Sequence, residues 1–308
     1  MTRQFQGYLL VALSALFYGA MGVIAKLGYG LGFTPPILLL IRFGTASVVL
    51  WMILFLRRHQ LPRLNSRDVI NIVPTAMAYV VASFSFFAAL KFLNASVVNL
   101  IFYAYPALVN ITASLFLGEK IPRIRKVSLA IALAGCALAV GVFNSGSLKI
   151  IPIGVILAAL ASVCYALFVF YSQVSVTDSD PLVVNTLLNT FCVLAIAIIQ
   201  PPIYLFNGRV THSMLAYGVF LGLVFSVLAL WVLMAGIQRI GSSKASIISS
   251  FEPVVTIVVA FLLLGETMTW IQGLGAVLVL SAILMQKRDE SCYYEAVSVP
   301  TNTMETGK

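Results

Sequence analysis

Charge is scarce in this 308-residue chain, with only 9% of residues Asp, Glu, Lys or Arg. Histidine occurs twice, at His59 and His212, and the four cysteines, Cys136, Cys164, Cys192 and Cys292, have neither metal-ligand nor redox spacing. No GxxxxGK[ST] run cradles a phosphate, no HExxH pair offers a metal site, and no nucleophile and base fall into a recognisable pattern. The sequence therefore gives no basis for ATP-driven pumping, metal chemistry or enzymatic catalysis, and neither a cofactor nor a metal is expected. What replaces charge is hydrocarbon. Hydrophobic residues make up 61% of the chain and the mean hydropathy is +1.03, values that describe a protein dissolved in a bilayer rather than in water.

A helix needs about 20 mainly apolar residues to cross a hydrocarbon core of roughly 30 Å. Ten such segments are expected, at 6–26, 36–56, 69–90, 95–117, 124–143, 152–174, 182–206, 214–237, 243–264 and 267–286. Gly, Pro and charged residues separate them, in breaks such as "GLGFTPP", "RRHQLPRLNSRD" and "TDSDP". The first segment is longer than a signal-peptide core and runs straight into a second, so it reads as an uncleaved span.

Cytoplasmic loops carry the excess of Lys and Arg. With the N-terminus inside, the cytoplasmic segments hold Arg3, Arg57, Arg58, Arg63, Arg67, Lys120, Arg123, Arg125, Lys126, Arg239, Lys244, Lys287, Arg288 and Lys308, whereas Lys26, Lys91, Lys149 and Arg209 lie outside. Both termini are expected to be cytoplasmic. The net charge of +9 then follows from topology, and no soluble basic domain exists to bind nucleic acid. The polar stretch 288–308 is too short to fold alone and is expected to be a disordered cytoplasmic tail.

The chain also repeats itself. Shifted by 147 residues, "GYLLVALSALFY" at 7–18 falls on "GVILAALASVCY" at 154–165, and residues 80–119 laid on 227–266 give 11 identities in 40. Apolar identities are cheap here, but Pro106 on Pro253 and the pairs Gly118 with Gly265 and Glu119 with Glu266 are not. Each half, 6–143 and 150–287, holds five spans. An odd number makes the second half enter the membrane from the opposite side, an inverted-topology repeat of the kind found in secondary transporters. The stretches "LLLIRFGTASVVL", "AALKFLNASVVNLIFYAYPALVNITASLFLGEKI" and "SSKASIISSFEPVVTIVVAFLLLGETMTWIQGLGAVLVL" resemble the EamA family of the drug/metabolite transporter superfamily, over roughly residues 7–286. That resemblance implies ten helices around a central cavity and export of metabolites or amino acids, and it fixes no substrate.

Helical spacing gives an independent view of the cavity. Asn99, Tyr103, Pro106 and Asn110 form one stripe on the fourth span, and Ser246, Ser250 and Pro253 are the repeat partners of the first three. Such a stripe either faces a cavity or hydrogen-bonds neighbouring helices. Each proline is expected to kink its helix. Tyr18 and Tyr165, at matching positions, could offer rings or hydroxyls to an amphipathic solute, with Tyr79, Ser83 and Trp231 as further candidates and packing as the alternative. Arg42, inside the second span, must snorkel or find a partner, so its readings are helix ordering near the outer mouth or recognition of a substrate carboxylate. Gly118, Glu119, Gly265 and Glu266 end helices, where the carboxylates suit structural caps. Ser128, Ala132 and Cys136, spaced by four, would admit another helix, from the same chain or from a second copy in a homodimer.

Glu252 is the residue hardest to place in lipid. On a face with Ser249 and Thr256 it could couple transport to protons, bind the solute, or serve packing alone. The expected activity is a multi-pass inner (plasma) membrane exporter of a small amphipathic metabolite or amino acid, working by alternating access, with metabolite import as the rival direction and an intramembrane enzyme as the rival class. Topology is directly testable: a cysteine introduced at Asn65 is expected to resist an impermeant thiol reagent added outside intact cells, and labelling there would overturn both the orientation and the inversion.

Overall fold

The computed structural model describes residues 3–56, 66–93, 95–117, 122–139, 151–177, 179–199, 201, 210–264, 269–271, 273–282 and 285, and every regular element among them is a helix. In chain order these are α1 (Arg3–Tyr29), α2 (Pro35–Leu56), α3 (Ser66–Ala89), α4 (Ala95–Phe102), α5 (Tyr105–Leu117), α6 (Arg123–Ala139), α7 (Pro152–Thr177), α8 (Pro181–Ile199), α9 (His212–Leu221), a π-helical segment (Gly222–Ala229), α10 (Leu230–Ile240), α11 (Ser242–Ser249), α12 (Glu252–Leu264) and α13 (Gly273–Ala282). Local chemistry sets several ends. Prolines open α2, α7 and α8, where the absent N–H costs no intrahelical bond. The Asp180 carboxylate accepts from Leu182 N at 2.8 Å at the start of α8, and the Thr211 hydroxyl accepts from Met214 N at 3.3 Å at the start of α9. Gly241, at φ +82°, turns the chain from α10 into α11 with a backbone that a side chain would strain.

Among the described residues, seven helical runs are long and apolar enough to cross a membrane: Arg3–Ala25, Pro35–Leu56, Ile72–Ala89, Pro152–Thr177, Pro181–Ile199, His212–Ile240 and Ser242–Leu263. Three shorter apolar helices, Tyr105–Phe116, Lys126–Leu138 and Gly273–Ala282, fall in the other segments picked out by hydropathy. Large apolar side chains cover the outside, among them Ile198 at 81% and Leu56 at 77% exposure. A surface of that kind is costly in water and costs nothing in hydrocarbon.

The shift of 147 residues reappears in the backbone. Adding it to the bounds of α4 and α5 returns the bounds of α11 and α12. The packing is reciprocal as well: α3 lies against α7 and α10 against α1, α4 and α5 pack on α7 as α11 and α12 pack on α1, and α2 meets α8. The two halves thus interlock rather than stand side by side. The face of α6 that carries Ser128 and Gly135 packs on α13. Ser128 Oγ donates to Ala282 O at 2.6 Å, and a Cβ on Gly135 would stand 2.8 Å from Gly275 O.

Gly19 marks a close crossing of α1 and α12. A Cβ there would lie 2.6 Å from Glu252 O and 2.6 Å from Val255 Cβ, so α1 can approach α12 only without a side chain. Gly22, one turn on, has nothing within 4 Å of its would-be Cβ. Gly19→Ala is therefore expected to lower the thermal midpoint of the detergent-solubilised protein, at a cost of roughly 1–3 kcal/mol for overpacking. Gly22→Ala should match or exceed the parent, and equal losses in both would remove the close approach as the cause.

Candidate functional site

The spans that carry Pro106 and Pro253 are broken rather than kinked. The sequence predicts a bend within one helix, but α4 ends at Phe102 and α5 begins at Tyr105, so Pro106 is the second residue of a new helix, as Pro253 is of α12. The breaks share one bonding pattern: Ala104 N to Ile101 O and Ala107 N to Ala104 O in the first copy correspond to Phe251 N to Ile248 O and Val254 N to Phe251 O in the second. Proline is tolerated in a first turn because its missing N–H is unused there. The carbonyl that Pro106 leaves without a donor, Phe102 O, accepts from Ser162 Oγ of α7 at 3.0 Å. Cys136 Sγ stands 3.8 Å from Ser250 O at the second break. The predicted stripe therefore straddles a break. Asn99 and Tyr103 remain joined through Tyr103 N to Asn99 O at 2.8 Å, and Asn110 Nδ2 reaches Pro106 O at 2.8 Å and Ser246 Oγ at 3.5 Å.

Glu252 opens α12 at the second break and is 5% exposed. Tyr103, Tyr105, Tyr165 and Cys136 all lie within electrostatic range of it. The Tyr105 hydroxyl is buried and has no hydrogen-bond partner among the described residues. Thr256 sits one turn beyond Glu252, but its hydroxyl donates to backbone, to Gly19 O at 2.7 Å and Glu252 O at 3.0 Å. Ser249, the other residue expected on this face, is buried at the end of α11.

Arg42 is the other charged side chain buried among the described residues, at 1% exposure, which excludes snorkelling. Its Nε donates to Ser226 Oγ at 2.8 Å and its Nη2 to the Tyr79 hydroxyl at 2.9 Å, while Nη1 meets the Met21 sulfur at 3.6 Å. The guanidinium carbon lies 5.1 Å from the Phe43 ring centroid. Ser226 belongs to the π-helical segment, whose loosened carbonyls attract side chains from other helices: Tyr18 donates to Phe225 O at 3.2 Å, Asn185 to Ser226 O and Val227 O at 3.1 Å, and Ser14 to Ala229 O at 3.1 Å. Neither Arg42 nor Glu252 forms an ion pair among the described residues. Aromatic rings connect their surroundings, with centroid separations of 4.5 Å for Tyr79 and Phe168, 5.4 Å for Phe168 and Tyr165, and 4.8 Å for Tyr165 and Tyr105.

The interior thus assembles Tyr18, Tyr79, Tyr103, Tyr165, Arg42 and Glu252 from α1, α2, α3, α7, α12 and the first break. Ser246 and Ser250 are buried, but their hydroxyls are spent on Ser243 O at 2.9 Å and Ser246 O at 3.3 Å. Ser83 and Asn99 are half-buried. Trp231 stands apart, 39% exposed on an outer stripe with Phe220, Leu223 and Leu228. Gly118, Glu119, Gly265, Glu266 and the tail 288–308 lie outside the described residues. Among the described residues no three of His, Cys, Asp and Glu gather as a metal site. Sequence reasoning missed Ser226, Asn185, Asn189, Phe168 and Ser162. The shift of 147 held a usable signal, because it pairs Tyr79 with Ser226 and Arg42 with Asn189.

Comparison with known proteins agrees with this architecture. The chain is 28% identical over 286 residues to the uncharacterized transporter YyaM of Bacillus subtilis (strain 168), covering 90% of this chain and 92% of that one. It is 22% identical over 303 residues to the uncharacterized transporter YetK of the same organism, covering 94% and 90%. A solved crystal structure at 18% identity superposes with a TM-score of 0.78 over 93% of this chain and 99% of that chain, which establishes the shared fold. The EamA-like transporter family matches twice, over residues 5–141 and 152–286. A multi-pass membrane protein with helices broken at matched prolines in each half, this chain belongs to the EamA-like transporter family.

Proposed function

We propose that the protein is a secondary exporter of a small amphipathic metabolite, in which two five-span halves of opposite orientation expose a central site alternately to either side of the plasma membrane, with both termini cytoplasmic. The observation that carries this reading is the pair of broken helices. Each half brings irregular backbone to the centre of an apolar interior, and broken helices at membrane depth are tolerated only where protein or a water-filled cavity receives them. Reciprocal packing of the halves supports a two-fold relation between them, and the odd number of spans expected per half supports its inversion. Two nearly equivalent arrangements of the same interface then follow from symmetry, which is what alternating access requires.

Glu252 is the coupling residue in this reading. It lies at one break and not at the other, where Tyr105 takes the matching position, so a proton can be handled in one half only. The titratable groups facing it are the hydroxyls of Tyr103, Tyr105 and Tyr165 and the thiol of Cys136, all neutral at physiological pH. With no cation beside it among the described residues, a charged carboxylate is stable there only when the site is hydrated. A protonated one suits the closed state. Outward movement of solute would then be exchanged for inward movement of protons.

Proteoliposomes with an imposed pH gradient, given a panel of amino acids and cationic amphiphiles, test the reading. At least one solute is expected to move faster with the gradient, and comparing inside-out with right-side-out vesicles separates export from import. Glu252→Gln should abolish acceleration by the gradient while solute exchange persists. A Gln variant that responds to the gradient as the parent does would exclude Glu252 as the coupling group. Tyr18→Ala and Tyr103→Ala should each weaken apparent solute affinity by about tenfold, the scale of one lost aromatic contact, a larger effect than that on the amount of folded protein. Unchanged affinity in both would assign the two rings to packing.

A further inference from the structure

The surroundings of Arg42 contain a polar mismatch that packing does not account for. A guanidinium withdrawn to 1% exposure has traded hydration for three neighbours, of which one is a thioether. Ser226 occupies Nε and Tyr79 occupies one N–H of Nη2, so hydroxyl oxygens meet two of the five guanidinium donors. The Nη1/Nη2 end of the fork keeps N–H donors that no oxygen among the described residues meets, Nη1 having only the Met21 sulfur, a weak acceptor, and no carboxylate among the described residues balances the charge. The fold itself does not require a charge at this position. The repeat partner of Arg42 is Asn189, a neutral amide that is equally buried and donates to Asn185 O at 2.8 Å and Asn185 Oδ1 at 2.7 Å. Arg42 also spans the two halves: Tyr79 and Ser226, its two hydroxyl partners, are themselves repeat equivalents, so the cation sits where the pseudo-symmetric elements meet.

We infer that the free end of the Arg42 guanidinium is a carboxylate-binding subsite for the transported solute, capped by the Met21 sulfur until a solute carboxylate displaces it. A planar carboxylate matches that end of the fork with two parallel hydrogen bonds, and one buried cation balances one negative charge. A phosphate dianion would leave a second charge uncompensated. Phe43 and Tyr79, whose ring centroids lie 5.6 Å apart, supply apolar contact beside the fork. The inference deepens the transporter reading by naming the solute's chemistry. Its test measures binding without a gradient, so failure of flux and failure of this subsite are separately visible.

The experiment is a titration of the full-length protein in detergent, followed by thermal unfolding, with benzoate, its neutral amide benzamide, inorganic phosphate and chloride as probes. Benzoate is expected to raise the midpoint in a saturable way in the millimolar range, with benzamide, phosphate and chloride without effect. Arg42→Gln should weaken the benzoate response by about 10- to 100-fold, the loss expected for a charge-assisted hydrogen-bond pair. Should that variant fail to fold, Met21→Leu gives an independent answer. Removing the sulfur acceptor at nearly constant volume is expected to tighten benzoate binding about two- to tenfold. No response to benzoate, an equal response to benzamide, phosphate or chloride, an unchanged response in folded Arg42→Gln, or unchanged or weaker binding in Met21→Leu would each overturn the assignment.

Discussion

Backbone polar groups released inside an apolar interior must be met by protein, and that demand organises the molecule. The spans of Pro106 and Pro253 give up helical bonds at their breaks, and the π-helical segment loosens its own ladder. In hydrocarbon no water is available to repair the loss. Asn185 of the same half meets two π-helical carbonyls, and the other repairs come from the opposite half of the chain: Ser162 reaches Phe102 O, Cys136 reaches toward Ser250 O, and Ser14 and Tyr18 reach the π-helical carbonyls. Tyr217 likewise donates to Ile24 O across the two halves. A half on its own would leave these acceptors bare, so irregular backbone and tight association of the halves are two sides of one arrangement.

Against that shared frame, the departures from the repeat carry the chemistry. Arg42 stands opposite a neutral Asn189, Glu252 opposite Tyr105, Ser226 opposite Tyr79, and Ser162 opposite Ala15, whose methyl cannot donate to the carbonyl at the second break. A perfectly symmetric chain would bury either two charges of each sign or none. Among the described residues this chain buries one of each, in different halves, and joins their surroundings by a row of aromatic rings rather than by an ion pair. Separation matters because a direct salt bridge in a dry interior would hold both charges in one arrangement. Apart, each is available to a different partner, a proton at Glu252 and a solute anion at Arg42 in the proposed transport cycle.

Glycine has a comparable division of labour. Gly19 lets α1 touch the backbone of α12 at Glu252, and Gly222 brings the π-helical segment so near α2 that a Cβ would lie 2.7 Å from Arg42 O. Both buried charges are thus flanked by crossings where helices meet backbone to backbone. Such crossings fix side chains by steric exclusion, which holds in lipid where the hydrophobic effect between helices is absent.

The linear sequence determined the solvent, the apolar segments and the repeat. Hydropathy is a local sum over a span, and a proline in register survives divergence of everything around it. It also brought out Tyr18, Tyr79, Tyr103, Tyr165, Arg42 and Glu252, because a polar or aromatic residue in an apolar run is conspicuous. It could not distinguish a kink from a break at Pro106 and Pro253, since that depends on whether a donor such as Ser162, some 60 positions away, arrives to replace the lost helical bond. Nor could it see that Ser246 and Ser250 spend their hydroxyls on backbone, that Trp231 faces outward, or that Arg42 gathers Met21, Tyr79 and Ser226. Those facts rest on how helices rotate and cross: the contacts of Arg42 with residues 21 and 37 positions away need the first-half helices packed together, and the one 184 positions away exists only once the two halves have closed on each other.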